Sequence, residues 1–161
     1  MRRDPARLAA LKDLLVLDTA PEATYDDLTL TLAQRFDVPI AMVNLLDAER
    51  DWFKSCIGLP FEDSPADTSF CEVLFGSDDD VIVIEDTTQD ERFCKHPLVT
   101  GAPHVRFYAS ARLTVDGHTV GTLCVYDTTA KEVTASQVAD LRVLGRAAME
   151  MLRHRQPARS G

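Results

Sequence analysis

The side chains able to do chemistry in this chain are few and scattered. Four cysteines, Cys56, Cys71, Cys94 and Cys124, stand without Cys-x-x-Cys spacing, which suits reduced thiols better than a disulfide framework. Cys94 and His96, with His104 downstream, are metal-ligand types, but a zinc site brings four ligands at tighter spacing; loop histidines are the expectation, and neither a metal nor a cofactor is implied. No glycine-rich phosphate loop, His-Glu-x-x-His helix or Gly-x-Ser-x-Gly elbow is present. What remains is a binding chemistry. Phe70, Cys71, Arg92, Phe93, Tyr108 and Ser110 come from segments expected to converge on one face of a sheet. Aromatic walls with a few placed polar groups typify small-molecule sites. Arg92 and Arg106 could grip a carboxylate or phosphate in a bidentate way. The structural alternative pairs Arg92 with Asp86 or Asp90 and leaves Arg106 exposed on its strand.

Those residues need a frame, and the hydrophobic patterning supplies one. From Arg106 to Val115 the chain alternates: Phe107, Ala109, Ala111, Leu113 and Val115 share one face, and Arg106, Tyr108, Ser110, Arg112 and Thr114 the other, the signature of a strand. Asp116-Gly117 is a type I′ turn signal, since both positions take positive φ, and Val120 to Tyr126 returns as the partner strand. Val38 to Leu46 is apolar on both faces, with Ile40, Met42 and Leu46 set against Ala41, Val43 and Leu45, so it belongs in the middle of a covered sheet. Trp52 to Gly58 reads as a mixed strand nearer an edge, and Val81 to Ile84 as a short buried one. Leu59 to Asp67 reads as a polar loop leading to a short helix over Thr68 to Phe75. Asp86 to His104 reads as a helix or lid limited by Pro97, Gly101 and Pro103.

Helices are expected at both ends. Asp4-Pro5 starts the first, with Leu8, Leu11 and Leu15 as its stripe. Thr19-Ala20-Pro21-Glu22 has the capping-box form ahead of a second helix marked by Tyr25, Leu28, Leu32 and Phe36. Thr134-Ala135-Ser136-Gln137 is a further capping box, opening a helix to about Arg155 whose stripe is Val138, Leu141, Leu144, Ala148 and Met151. Residues 156–161 read as a flexible tail. The fold class is α+β, with no internal repeat and no second domain.

Several segments together resemble a known family, the GAF domain, and in particular a bacterial subgroup found in sensor histidine kinases and diguanylate cyclases. They are Leu17-Asp18-Thr19 with Pro21-Glu22, Tyr25-Asp26-Asp27-Leu28, Val38-Pro39-Ile40-Ala41, Trp52-Phe53-Lys54-Ser55, Ser69-Phe70-Cys71, Asp90 with Arg92-Phe93, Arg106-Phe107-Tyr108-Ala109, and Gly121-Thr122-Leu123-Cys124-Val125 before Asp127. The resemblance spans roughly Leu8 to Leu152. It implies one domain with an antiparallel sheet of five to six strands, the terminal helices on one face and pocket-covering helices on the other. It also implies a non-enzymatic sensory role in signal transduction. A small-molecule ligand would lie beneath the Thr68–Phe75 helix and the Asp86–His104 segment, held by Phe70, Cys71, Arg92, Phe93, Tyr108 and Ser110.

The same resemblance raises alternatives. Stand-alone members reduce free methionine-R-sulfoxide with two cysteines, here Cys94 and Cys71, but the acidic pair that anchors their substrate amine falls near Cys124 and Tyr126. Bilin-binding members carry a Cys-His pair, and no cysteine here precedes a histidine. The Asn-Lys…Phe…Asp-Glu signature of cyclic-nucleotide binders is not recognisable. Ser110 and Arg112 stand where the subgroup more often has Gly and Pro. A ligand-free dimerisation module is the remaining option. Family members commonly dimerise through the first and last helices, for which Leu8, Leu11, Leu15, Leu144, Ala148 and Met151 are candidates. A homodimer and a kinase or cyclase output partner are therefore expected. The Pro-, Ser- and Gly-containing end implies that no output domain follows, making the chain either part of a longer protein or a short one acting in trans.

Composition narrows the partners. At 161 residues, 45% apolar and 27% charged, the chain has the make-up of a globular domain. Its formal net charge of −9 disfavours nucleic acid. The basic clusters Arg2, Arg3, Arg7 and Arg142, Arg146, Arg153, Arg155, Arg159 read as solvated helix faces. No apolar run approaches the ~20 residues of a membrane span, and no apolar stretch follows the first arginines as a secretory signal would require. The cytoplasm is the expected location, with no membrane partner.

Overall fold

The structure, a computed structural model, describes residues 2–156. The expected tail over 156–161 lies, apart from Gln156, outside the described residues. The first helix, α1 (Pro5–Asp13), is capped by Asp4, whose carboxylate accepts from Arg7 N at 3.1 Å, with Pro5 in its first turn. It stops earlier than the leucine pattern suggested. Leu15 takes φ 51° and is 75% exposed, and Leu14 closes the apolar stripe in its place.

The second helix, α2 (Ala23–Phe36), starts without the expected capping box, because Glu22 makes no side-chain cap. Thr19 Oγ1 donates to Val16 O at 2.5 Å and accepts from Lys54 Nζ at 2.8 Å. The Glu22 carboxylate is held instead by Lys54 (2.6 Å) and Arg155 (2.8 Å). Two distant cations outcompeted a local backbone amide.

Six strands follow: β1 (Ile40–Leu46), β2 (Arg50–Ile57), β3 (Asp63–Pro65), β4 (Val81–Ile84), β5 (Phe107–Val115) and β6 (His118–Asp127). They form one antiparallel sheet in the order β3-β2-β1-β6-β5-β4. Strand β3 lies in what the sequence suggested was only loop. It pairs with Arg50, Asp51 and Trp52 and covers part of the β2 edge. The hairpin between β5 and β6 turns at Asp116 (φ 51°) and Gly117 (φ 77°), both positive as a type I′ turn needs. The register of β1 on β2 shifts between Val43 and Asn44. That bulge turns Lys54 and Ser55 together toward α2, where Ser55 Oγ meets Thr29 Oγ1 and Asp26 Oδ1, each at 2.7 Å.

The two faces of the sheet carry separate cores. Ala41, Val43, Leu45, Phe107, Ala109, Ala111 and Leu113 pack under α1, α2 and α4 (Ala135–Arg153). The last of these opens with the Thr134/Gln137 capping box. Ile40, Met42, Leu46, Tyr108 and Cys124 form the other face, as the split of β1 into two apolar sets required. This second core is roofed by 3-10 turns at Ala66–Thr68 and Phe70–Gly76 and by the one-turn helix α3 (Pro97–Thr100). The short helix expected over Thr68 to Phe75 is a 3-10 segment over Phe70–Gly76, capped by Ser69 Oγ accepting from Cys71 N. Of the residues put forward for a helix–helix dimer, Leu11 and Ala148 are spent inside this monomer.

Candidate functional site

Antiparallel register lays the candidate side chains out in rows. Asn44 lies opposite Thr122, Met42 opposite Cys124, and Ile40 opposite Tyr126. On the next strand Tyr108 pairs with Tyr126 and Ser110 with Cys124. The roof turn drops Phe70 and Cys71 onto this grid. Phe70 stacks on Phe93 (5.1 Å between centroids) and His96 (4.3 Å), with Tyr108 at 5.4 Å and Tyr126 at 5.6 Å. The Cys71 sulfur receives Tyr108 Oη at 3.2 Å and lies 3.1 Å from Thr122 Oγ1. Tyr108 Oη also reaches Ser110 Oγ at 2.8 Å. Five of the six candidate residues thus occupy one neighbourhood, all of them buried.

Arg92 is placed elsewhere. Its guanidinium is largely exposed and held by Asp90 at 3.1 Å, across two positions of the same turn. The pair holds the Asp90 carboxyl below the usual range. Arg106 Nη1 donates to Val99 O at 2.8 Å and so braces α3. Cys94 is half-buried with its sulfur 4.0 Å from Glu91 O, and all four cysteines are free. Burial pushes the Cys124 thiol well up. At Cys71 burial acts the same way, but hydrogen bonds from Cys124, Thr122 and Tyr108 outweigh it and draw the thiol down. Among the described residues no cluster of three His, Cys, Asp or Glu side chains could hold a metal.

Beside this cluster lies a cavity of about 380 Å³. Its floor is Ile40, Met42, Asn44 and Asp51, its roof Thr68, Ser69 and Phe70, and its far wall Leu98, Pro103 and Val105. It therefore sits between the sheet and the two segments flagged as covers, with β3 adding a side that the sequence had not suggested. Phe70 and Tyr126 form its back wall; of the six candidate residues only Phe70 lines it, and Phe93, Tyr108, Cys71, Ser110 and Arg92 do not. The polar end is built from residues the sequence reading had not singled out. Asn44 Nδ2 donates to Asp51 Oδ2 at 3.1 Å and approaches Cys71 Sγ at 3.6 Å. Asp51 in turn faces Arg2 Nη1 at 2.9 Å, an ion pair with side chains only 7% and 4% exposed. Burial raises the Asp51 carboxyl, opposed by Ser69, Arg2 and Asn44. One signal was available: Asn44 is the single polar residue in an otherwise apolar strand, and a buried amide needs partners.

A larger groove of about 500 Å³ runs along the outer side of β2 against α2. Its buried polar side chains are already paired, through Asp26, Thr29 and Ser55 and through Lys54 with Glu22. The cavity under Phe70 has a buried polar atom without a hydrogen-bond partner, Asn44 Oδ1.

An antiparallel sheet with helices packed on one face and a ligand-sized cavity roofed by short turns on the other defines an α+β domain of the GAF and PAS type. The model of the GAF domain family matches residues 20–152, and the chain belongs to that family. A cyclic di-GMP phosphodiesterase of Pseudomonas aeruginosa is 36% identical over 124 residues, which are 76% of this chain but only 21% of that protein. Among solved structures, the GAF domain of an Acinetobacter phosphoenolpyruvate-protein phosphotransferase superposes with TM-score 0.68 at 15% identity, covering 94% of this chain and 95% of that one. A type II free methionine-R-sulfoxide reductase from Thermoplasma acidophilum superposes with TM-score 0.63 at 9% identity, covering 82% and 92%. At these identities the superpositions speak for the fold alone. Among the described residues no helix is long and apolar enough to cross a membrane.

Proposed function

We propose that this GAF domain is a non-enzymatic sensory module that binds a small molecule in the 380 Å³ cavity and relays occupancy through the sheet to the terminal helices. The observation that carries the reading is the cavity's make-up: apolar and aromatic walls around one polar end, the usual form of a small-molecule site. Phe70, Phe53, Phe61 and Tyr126 form the aromatic walls. Phe93 and Tyr108 pack against Phe70 without lining the cavity, Tyr108 reaches Cys71 and Ser110, and Arg92 stays outside on Asp90. Strands β1 and β6 have the cavity on one face and α1, α2 and α4 on the other, so a ligand favouring one packing of this face biases the helices by population shift. The kinship with a cyclic di-GMP phosphodiesterase supports a regulatory place in signal transduction, ahead of a phosphodiesterase, cyclase or kinase output. Homodimerisation through the terminal helices fits Val143, exposed at 59% on the outer side of α4. Free thiols fit the cytoplasm.

The reading in which Cys94 and Cys71 form a sulfoxide-reductase pair rests on shared fold alone. Native mass spectrometry of freshly purified protein, run beside Ser64→Trp to plug the cavity, tests the sensory reading. A releasable mass on the native protein that the variant lacks supports it. The same mass retained by Ser64→Trp moves the site elsewhere, and turnover of methionine-R-sulfoxide by an unliganded protein replaces sensing with catalysis.

A further inference from the structure

The charges around the cavity restrict its occupant more sharply than its volume does. No Lys, Arg or His side chain lines it; the charged residues that do are Asp51 and Asp63. The arginines nearby are already engaged and do not line the cavity. Arg2 is held by Asp51, Glu72 and the Asp47 carbonyl, Arg50 by Asp18 and Asp63, and Arg106 by the Val99 carbonyl. An anion entering this space would leave water for a low-dielectric site lined by two carboxylates whose cations, Arg2 and Arg50, do not themselves line it.

At the polar end two acceptors lack a hydrogen bond, Asn44 Oδ1 and Asp51 Oδ1, and only the second faces a cation, Arg2 Nη1 at 2.9 Å. Asn44 is 1% exposed, and its Oδ1 has no hydrogen-bond partner. The amide's orientation follows from its neighbours. A carboxylate oxygen only accepts, so the NH2 group must face Asp51 Oδ2, at 3.1 Å, and Oδ1 must point the other way. A buried carbonyl without a donor is unfavourable, and a ligand that brings a donor recovers that loss on binding. Asp51 behind the amide is an acceptor as well, which polarises Asn44 toward donating to it and accepting from the cavity.

We propose that the cavity selects an apolar molecule carrying a hydrogen-bond-donating head, an alcohol or amine and not a carboxylate or phosphate, with Asn44 Oδ1 as the acceptor that reads the head. This rests on the cavity being the ligand site. It turns the arginine-based expectation of an anionic ligand around: the guanidiniums that suggested an anion lie outside, and acceptors lie within.

Four matched probes decide it: phenylbutylamine, phenylbutanol, butylbenzene and phenylbutyrate share one apolar body and differ in the head. Each is titrated into the protein by NMR, following amides of β1 and of the 64–70 segment. One good hydrogen bond corresponds to roughly tenfold in affinity. The amine and alcohol should therefore bind about tenfold tighter than butylbenzene, with phenylbutyrate weakest. Asn44→Leu should bring phenylbutanol and butylbenzene level while butylbenzene still binds. The rank order on the native protein stands even if that variant folds poorly. Butylbenzene equal to phenylbutanol, or phenylbutyrate equal to the amine, overturns the head-group inference and leaves the cavity as the site. No saturable binding of any probe overturns both.

Discussion

Replacing Arg2 with alanine should destabilise the domain far more than loss of a near-terminal arginine ordinarily would. Arg2 Nη1 lies 2.9 Å from Asp51 Oδ1 and donates to Asp47 O at 2.8 Å, while Nε meets Glu72 at 2.8 Å. Both Arg2 and Asp51 are buried. Removing one partner of a buried ion pair costs about 3–5 kcal/mol, because the other charge stays behind unpaired. The half-exposed Glu72 contact adds less than about 1 kcal/mol. We expect Arg2→Ala to cost about 3 kcal/mol in urea unfolding, or roughly 6–12 °C in Tm for a domain of this size. The pH dependence carries the mechanism. Asp51 is already raised by burial, and losing Arg2 raises it further. A carboxyl raised in the folded state contributes stability below its unfolded value, near ~3.9, and loses it as pH rises through the folded value. The Arg2→Ala deficit should thus be largest at neutral pH and shrink on acidification. Adding Asp51→Asn should recover part of it, since no charge is then stranded. A deficit below about 1 kcal/mol, or one that does not change with pH, would refute the reasoning.

Other perturbations separate clash, strain and capping. At Gly121 an added Cβ would sit 2.3 Å from Asn44 O and 2.9 Å from Leu45 Cδ2, so Gly121→Ala should cost about 3 kcal/mol by overpacking the β1–β6 contact. Gly117 has φ 77° and nothing within 4 Å of a Cβ, so Gly117→Ala should cost only about 1 kcal/mol of backbone strain; thermal melts showing the reverse order would contradict this. Thr134→Ala removes the half of the α4 capping box in which Oγ1 accepts from Gln137 N and should lower stability by about 1 kcal/mol, read from the urea midpoint. Glu22 is lowered chiefly by the hydrogen bond from Lys54, against burial. Its contribution is present above its unfolded value and fades as pH falls through the lower folded one. Lys54→Met should therefore lose more stability at neutral pH than in acid, and parallel losses at both would argue against the assignment.

Much of the fold was legible because it follows from neighbours close along the chain. The alternation from Arg106 to Val115, the Asp116-Gly117 turn, the two-faced strand Ile40–Leu46 and the Asp4 and Thr134 caps are local statements about periodicity, φ and backbone donors. The structure honours each. Tyr108 and Ser110 could be grouped for the same reason, since strand parity put them on one face; the family resemblance placed the Phe70–Cys71 segment over it. Local signals failed where a distant group competed for the same atoms. Thr19 and Glu22 had the form of a cap, yet Lys54 and Arg155 took them.

The sequence by itself determined the class of fold, the split of the core between two faces and the segments that would roof one of them. Only the tertiary structure decided which polar groups meet beneath that roof. Arg2 reaches Asp47 and Glu72 across 45 and 70 positions, and the β1–β2 bulge sends Lys54 and Ser55 to α2. Asp51 lies one residue ahead of the strand expected from Trp52, and only the pairing with β1 and β3 makes it part of β2. The reason is physical: periodicity and capping are settled within a few residues, whereas the partner of a buried charge is whichever group chain closure brings into a site that water has left.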